Sequence, residues 1–207
     1  MFARELNNFC EVSGTVKSEP VFSHEVNGEK FDKFVLEIKR LSGTSDMINV
    51  IISERFADTG INLSENENVY IRGQFRSYNN YNGEGNKLVL SVFVKDISNY
   101  SEEIPENCNR IMLNGFLCKD PVYRITPFGR EITDILIAVN RIHNKSDYIP
   151  CIIWGRNAKI ASAMKTGDKI NLSGRIQSRE YRKKLENDEI VCKTAYEISV
   201  SKLENDE

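Results

Sequence analysis

Apolar and polar residues alternate along most of the chain, the two-residue period of half-buried strands. The segment after residue 108 is the easiest to read. Ile111, Leu113 and Leu117 alternate with Met112, Asn114 and Phe116, which predicts a strand with the first set inward. A loop follows from Lys119-Asp120-Pro121 to Pro127-Phe128-Gly129, where two prolines and a glycine stop regular structure. Ile132 to Val139 reads as a second strand, Arg141 to Ser146 as a polar turn, and Asp147 to Trp154 as a third strand. Asn157 to Met164 is the helical candidate, alanine-rich, with Asn157 as N-cap and Gly167 just past the end. Ile170, Leu172 and Ile176 mark a fourth strand, and Ile190 to Val200 a fifth.

The same pattern is written twice. A shift of 101 positions, without a gap, puts Gly14 on Gly115, Pro20 on Pro121, Gly28 on Gly129 and Arg40 on Arg141. It continues with Ser45-Asp46 on Ser146-Asp147, Ile51-Ile52 on Ile152-Ile153, Arg55 on Arg156 and Gly73 on Gly174. The first copy therefore has strands near Phe9 to Val16, Phe31 to Lys39, Met47 to Ile52, Val69 to Phe75 and Leu88 to Ile97. Its helix is weaker, because Asp58-Thr59-Gly60 interrupts the pattern; one or two turns are expected. Two homologous domains follow, residues 1–98 and 109–204, with a linker at 99–108 and a short acidic end at 205–207. Three strands, a short helix and two strands in about 100 residues, with glycine in strands one and four where a small barrel must bend, predict an OB-fold. The expected fold class is all-β: two tandem five-stranded OB-fold barrels, each with one short helix between strands 3 and 4.

Composition adds limits. The chain is 40% hydrophobic with a net charge of -2, enough apolar surface to fill two small cores. No run of 18 apolar residues occurs, and the start Met1-Phe2-Ala3-Arg4-Glu5 lacks a signal-peptide core, so a soluble cytoplasmic protein without membrane contact is expected. Cys10, Cys108, Cys118, Cys151 and Cys192 form no CxxC pair and have no histidine at zinc spacing; they read as reduced thiols. His24 and His143 are too isolated for a metal site or a triad. Neither a P-loop, GxSxG nor HExxH occurs, so no catalytic residue, cofactor or metal is expected.

Charge is unevenly spread. From Arg110 through Lys184 there are fifteen Lys and Arg against six Asp and Glu, a balance of +9. The first hundred residues carry eleven against fourteen, and Leu185 to Glu207 two against seven. Near neutrality of the whole conceals an electrostatic footprint in the second copy.

With these residues the chain resembles a bacterial-type single-stranded DNA-binding protein carrying two OB-folds in tandem, most closely in its second copy. The carrying residues run from Asn109-Arg110-Ile111 to Lys119-Asp120-Pro121, then Phe128-Gly129, Ile137-Ala138-Val139-Asn140-Arg141, Trp154-Gly155-Arg156-Asn157-Ala158, Lys165-Thr166-Gly167-Asp168 and Ile170 to Ile176. In the first copy the resemblance survives as Val12-Ser13-Gly14-Thr15-Val16, Pro20, Gly28 and Ile71-Arg72-Gly73-Gln74-Phe75. The resemblance implies binding and protection of single-stranded DNA in replication, recombination or repair. Aromatic rings would stack on bases while Lys and Arg follow the phosphates; because every base has a π-face, stacking is indifferent to sequence.

Carried over residue by residue, the stacking positions are Tyr148, Trp154 and Tyr181. Tyr148 and Trp154 are six apart, so they share one face of an extended strand and leave Ile149, Cys151 and Ile153 for the barrel. An aromatic beside apolar neighbours is otherwise a core residue, but here the core face is already taken. Pro150 between them cannot donate a ladder hydrogen bond and marks a bulge or an edge. Candidate phosphate contacts are Arg141, Lys145, Arg156, Arg175, Arg179, Arg182, Lys183 and Lys184, the run from Arg179 opening the loop between strands four and five. The ordinary reading of any one of them is a solvated surface charge.

The first copy is poorer, with Met47 and Ser53 where the second has Tyr148 and Trp154. Its weaker candidates are Arg40, Arg55, Arg72, Arg76, Tyr78 and Tyr81. It is expected to bind weakly or to build the oligomer interface. The resemblance also implies four OB-folds per assembly, hence a homodimer, and replication or repair proteins as partners. The family's acidic tail with an apolar tip is missing from Ser201 to Glu207, which is acidic and short. The competing reading is an OB-fold protein-interaction or primosome-type accessory module with weak or RNA-directed binding.

Overall fold

The computed structural model describes residues 7–79, 88–99, 106–184 and 190–204, with the side chains of residues 143, 183 and 184 outside the description. It divides into two compact units, Met1–Arg76 with Ser91–Asn114 and Ser77–Leu90 with Gly115–Glu207. The linker residues 100–105, the loop 80–87 that contains Tyr81, and the end 205–207 lie outside the described residues.

The first barrel is built on β1 (Asn8–Val16), β2 (Val21–Val26), β3 (Glu29–Lys39), β4 (Ser45–Ser53), β5 (Asn68–Asn79) and β6 (Leu88–Asn99). Pairing runs from β1 to β3 (Thr15↔Glu37), β3 to β4 (Phe34↔Val50), β4 to β6 in parallel (Val50↔Val92), β6 to β5, and β5 back to β1 (Cys10↔Gly73), which closes a five-stranded barrel. Alternate residues fill it: Cys10, Val12 and Val16, Leu36 and Ile38, Ile48 and Val50, Val69 and Ile71 are all buried. Each large side chain so removed from water contributes about 1.5 to 3 kcal/mol. Closing a barrel requires backbones to approach closely where strands bend. A Cβ at Gly14 would run into the carbonyl oxygen of Glu37, and one at Gly73 into that of Phe93, so only glycine fits.

Two features depart from the expected order. Strand β2, expected as loop, is an arm hairpinned onto β3 through Asn27 (φ 53) and Gly28 (φ 82). An Asn-Gly pair with both φ positive is the two-residue turn that matches strand twist. It carried the signal, but every residue of β2 except Ser23 is exposed, so no alternation announced the strand. The weak helix is a 3-10 segment, Glu54–Thr59, capped by the Ser53 hydroxyl accepting from the Arg55 N–H at 3.2 Å and ended by Gly60 at φ 74.

A second barrel repeats the design. Its strands are β7 (Asn109–Leu117), β8 (Val122–Ile125), β9 (Glu131–Asn140), β10 (Ser146–Trp154), β11 (Lys169–Lys184) and β12 (Ile190–Glu204), with α1 (Gly155–Ser162) between β10 and β11. Pairing β7–β9, β9–β10, β10–β12 (parallel), β12–β11 and β11–β7 again closes five strands. The expected loop 119–129 holds β8, paired with β9 from Val122↔Asp134 to Ile125↔Glu131; its prolines flank the strand, and all four of its residues are exposed. Helix α1 starts two residues before Asn157, directly at Gly155 (φ 58), so Trp154 stands at the N-cap and Asn157 lies inside the helix. Ala158 and Ala161 are the helix's buried residues, and the Thr133 hydroxyl donates to the Ala158 carbonyl at 2.8 Å. The segment Arg179 to Lys184 is strand, paired with residues 190–195, and not the loop expected there. Its polar residues leave the barrel, where no buried face imposes a period.

The offset between copies is 101 through the fourth barrel strand but not beyond. Val50 faces Val92 while Cys151 faces Ile198, an offset of 106 in the last strand. Glycine contacts agree, since Gly73 abuts Phe93 and Gly174 abuts Ser199. Five more residues lie between these points in the second copy.

Candidate nucleic-acid interface

Strand β10 positions the two leading aromatics. Asp147, Ile149, Cys151 and Ile153 are buried, while Tyr148 is 47% exposed and Trp154 half-buried. Ile152, on the side of Trp154, is buried beside Ser199 of β12. The β9–β10 register runs from Ser146↔Asn140 to Trp154↔Ile132 without a shift, so Pro150 makes no bulge. It sits just ahead of Cys151, where pairing with β12 begins, and the strand is an edge on that side at Pro150.

Trp154 is fixed by its indole, whose Nε1–H donates to the Ser199 hydroxyl at 3.2 Å. Ser199 faces Arg175 across β11, and Arg175, Gln177, Arg179 and Tyr181 share one face by two-residue spacing. The structure thus joins Trp154, Arg175, Arg179 and Tyr181 into one strip along β12 and β11. Within it Gln177 donates to Glu197 at 2.6 Å, and the Arg179 guanidinium lies 6.0 Å from the Tyr181 ring centroid. Arg182 extends the hairpin opposite Cys192, and the backbones of Lys183 and Lys184 continue it. Arg156 is exposed on α1 and Lys145 at the start of β10.

Arg141 is differently placed. Its Nε lies 3.1 Å from Oδ2 of Asp147, a fully buried carboxylate, and its N–H donates to the Lys145 carbonyl, closing the turn before β10. Arg40 holds Asp46 in the same way in the first unit. The repeated Arg and Ser-Asp positions are thus explained by an ion pair on a buried carboxylate: each arginine's charge is met within its barrel. Other first-unit candidates are likewise engaged. Arg55 pairs with Glu29 at 2.7 Å, and Arg72 with Glu11 at 3.5 Å and Asp96 at 3.8 Å. Arg76 lies over the Phe93 ring, and Tyr78 is 48% exposed, its hydroxyl pKa pushed up by partial burial.

Phe116 was not among the sequence candidates. It is 43% exposed and faces Ala138 of β9, which on its other side faces Tyr148. Two exposed rings thus flank a small residue on one outward face. The strand alternation of Ile111, Leu113 and Leu117 already put Phe116 outside; only the cross-strand register links it to Tyr148.

Burial pushes the Cys10 thiol up to about 12 and raises that of Cys151 as well, the behaviour of core thiols. Among the described residues no group of three or more His, Cys, Asp or Glu is arranged to hold a metal. No helix among them is long and apolar enough to cross a membrane.

Parts of the chain are similar to known proteins. Residues 108–205 match the single-strand binding protein family. A single-stranded DNA-binding protein of Clostridium tetani is 41% identical over 83 residues, covering 37% of this chain and 57% of that protein. Single-stranded DNA-binding protein A of Bacillus subtilis is 38% identical over 80 residues, covering 35% and 46%. The chain thus spans about half the length of the curated relatives it matches. The crystal structure of the wild-type single-stranded DNA binding protein from Thermus aquaticus aligns with a TM-score of 0.73 at 20% identity, over 97% of this chain and 93% of that one, a likeness of fold. Residues 108–205, where the aromatic and basic strip lies, are thus the part of the chain that is similar to the single-strand binding protein family.

Proposed function

We propose that the protein binds single-stranded DNA without sequence preference and protects it during replication, recombination or repair. The observation that carries this reading is the strip on the second unit, where Trp154, Arg175, Arg179 and Tyr181 share one face and Tyr148 and Phe116 extend the aromatic surface along β10 and β7. Stacked bases and phosphate-bound cations need this alternation, and each stacked base contributes roughly 1 to 3 kcal/mol. The names of the relatives above support the ligand. No catalytic step belongs to this reading.

The functional modules are residues 1–98 and 109–204, joined by 99–108, and the protein works as a homodimer presenting four OB-folds. Sedimentation of the free protein tests the dimer; a monomer at micromolar concentration rejects it. Adding poly-dT tests the ligand directly, because Trp154 is the single tryptophan of the chain. Its fluorescence falls on binding; competition by an oligoribonucleotide at equal strength would remove the DNA preference, and stronger competition would replace it by RNA.

A further inference from the structure

Serine and aromatic have changed places between the two barrels. In the second, Trp154 ends β10 and donates to Ser199 on β12. The equivalent positions in the first are Ser53, at the offset of 101, and Phe93, at the offset of 106 that the last strand's register requires. The ring missing from the third barrel strand is present on the fifth.

Its surroundings fit an anionic, base-bearing ligand. The Arg76 guanidinium lies 3.7 Å from the centroid of the Phe93 ring and the Lys95 ammonium 5.2 Å. Burial first and Arg76 second lower the pKa of Lys95, so two cations are held together on one ring. The ring belongs to a row: Phe31 lies 5.5 Å from Phe93, and the His24 imidazole stacks on Phe31 at 5.0 Å with an interplanar angle of 13°. His24 is exposed, so the outer face of its imidazole is offered to solvent. The Glu29 carboxylate, which acts on Lys95, is engaged by Arg55 and the Ser53 hydroxyl. The second barrel has Gln177 and Ser201 where this one has Arg76 and Lys95, and Ile125 and Ile132 in place of His24 and Phe31. The cluster is therefore particular to the first copy, although that copy is acidic as a whole.

We infer that the first barrel carries its own single-stranded nucleic-acid site, with Phe93 and His24 as stacking rings and Arg76 and Lys95 as phosphate contacts. It rests on the single-strand-binding reading above and reverses the expectation that this barrel binds poorly for want of aromatics. The site uses rings on the second and last strands of the unit in place of the one lost from β4.

The test uses the full chain and a labelled oligo(dT). The double variant Arg76→Gln, Lys95→Ser installs the second copy's residues. Two lost phosphate contacts reduce the magnitude of the slope of log affinity against log salt by about 1.4, which makes binding about 25-fold weaker at 0.1 M salt and unchanged near 1 M. In a second variant, Phe93→Trp with Trp154→Phe, the sole tryptophan reports on the first barrel, and its fluorescence falls on titration with oligo(dT). Unchanged affinity and slope in the first variant, or binding of labelled DNA by the second without a tryptophan response, overturns the inference and leaves the second barrel's role intact. Failure of the wild-type chain to bind the oligonucleotide overturns both.

Discussion

Replacing Trp154 separates stacking from phosphate contact. The indole is half-buried and anchored to Ser199 at 3.2 Å, so it is already ordered and presents one surface for one base. Trp154→Ala removes that stack, for which about 2 kcal/mol, or about 30-fold in affinity, is expected. Stacking releases no counterion, so the plot of log affinity against log salt is displaced downward with its slope unchanged, whereas each lost phosphate contact changes the slope by about 0.7. Trp154→Phe keeps a ring and loses only the Nε1–H bond, a net effect of about 1 kcal/mol on the fold, and should bind within about fivefold of wild type. Anisotropy of a labelled oligo(dT) between 0.05 and 1 M salt reads both quantities, while circular dichroism checks folding. Wild-type affinity in the alanine variant, or a loss that vanishes at high salt, refutes Trp154 as a base platform.

Phe116→Ala should weaken oligo(dT) binding by about 5-fold or more if its ring extends the Tyr148 surface across Ala138, again without a change of salt slope; an unchanged dissociation constant makes it an ordinary exposed residue. Asp147→Ala leaves Arg141 without its buried partner and should destabilise the second unit by about 3 to 5 kcal/mol in urea, whereas a loss below 1 kcal/mol denies the pair a structural role. Gly174→Ala brings a Cβ against the Ser199 backbone and should cost about 1 to 3 kcal/mol by the same assay, with no cost refuting the close approach. The Cys10 thiol is raised from 9.0 to about 12 in the folded protein, so the folded state holds its proton longer than the unfolded state does. That stabilising contribution is complete below about pH 9 and falls as pH rises toward 12, so the urea midpoint should drop over that window in wild type and less in Cys10→Ala.

The sequence by itself determined the repeat, the barrel strands and the inward residues. Alternation at Ile111, Leu113 and Leu117, or at Ile149, Cys151 and Ile153, is imposed by a face that must be buried, and burial leaves its mark in composition. The glycines at 14, 73, 115 and 174 were legible for the same reason, because no side chain fits where barrel strands approach. Elements without a buried face left no such mark. The arms β2 and β8 and the extension of β11 through Lys184 are held by backbone pairing, which most residues supply equally well.

Side-chain partners across strands were also decided only by tertiary structure. Arg141 reads as a phosphate contact in the sequence, whereas in the fold its guanidinium lies against the buried Asp147 carboxylate, and Phe116 joins Tyr148 only through the register of β7 and β9 on Ala138. The fixed shift of 101 made the first barrel look stripped of aromatics. The pairing of β4 with β6, compared with that of β10 with β12, moved the comparison by five residues and put Phe93 where Ser199 stands. Sequence spacing measures distance along a chain, whereas a binding face is assembled from hydrogen-bonded neighbours far apart along it.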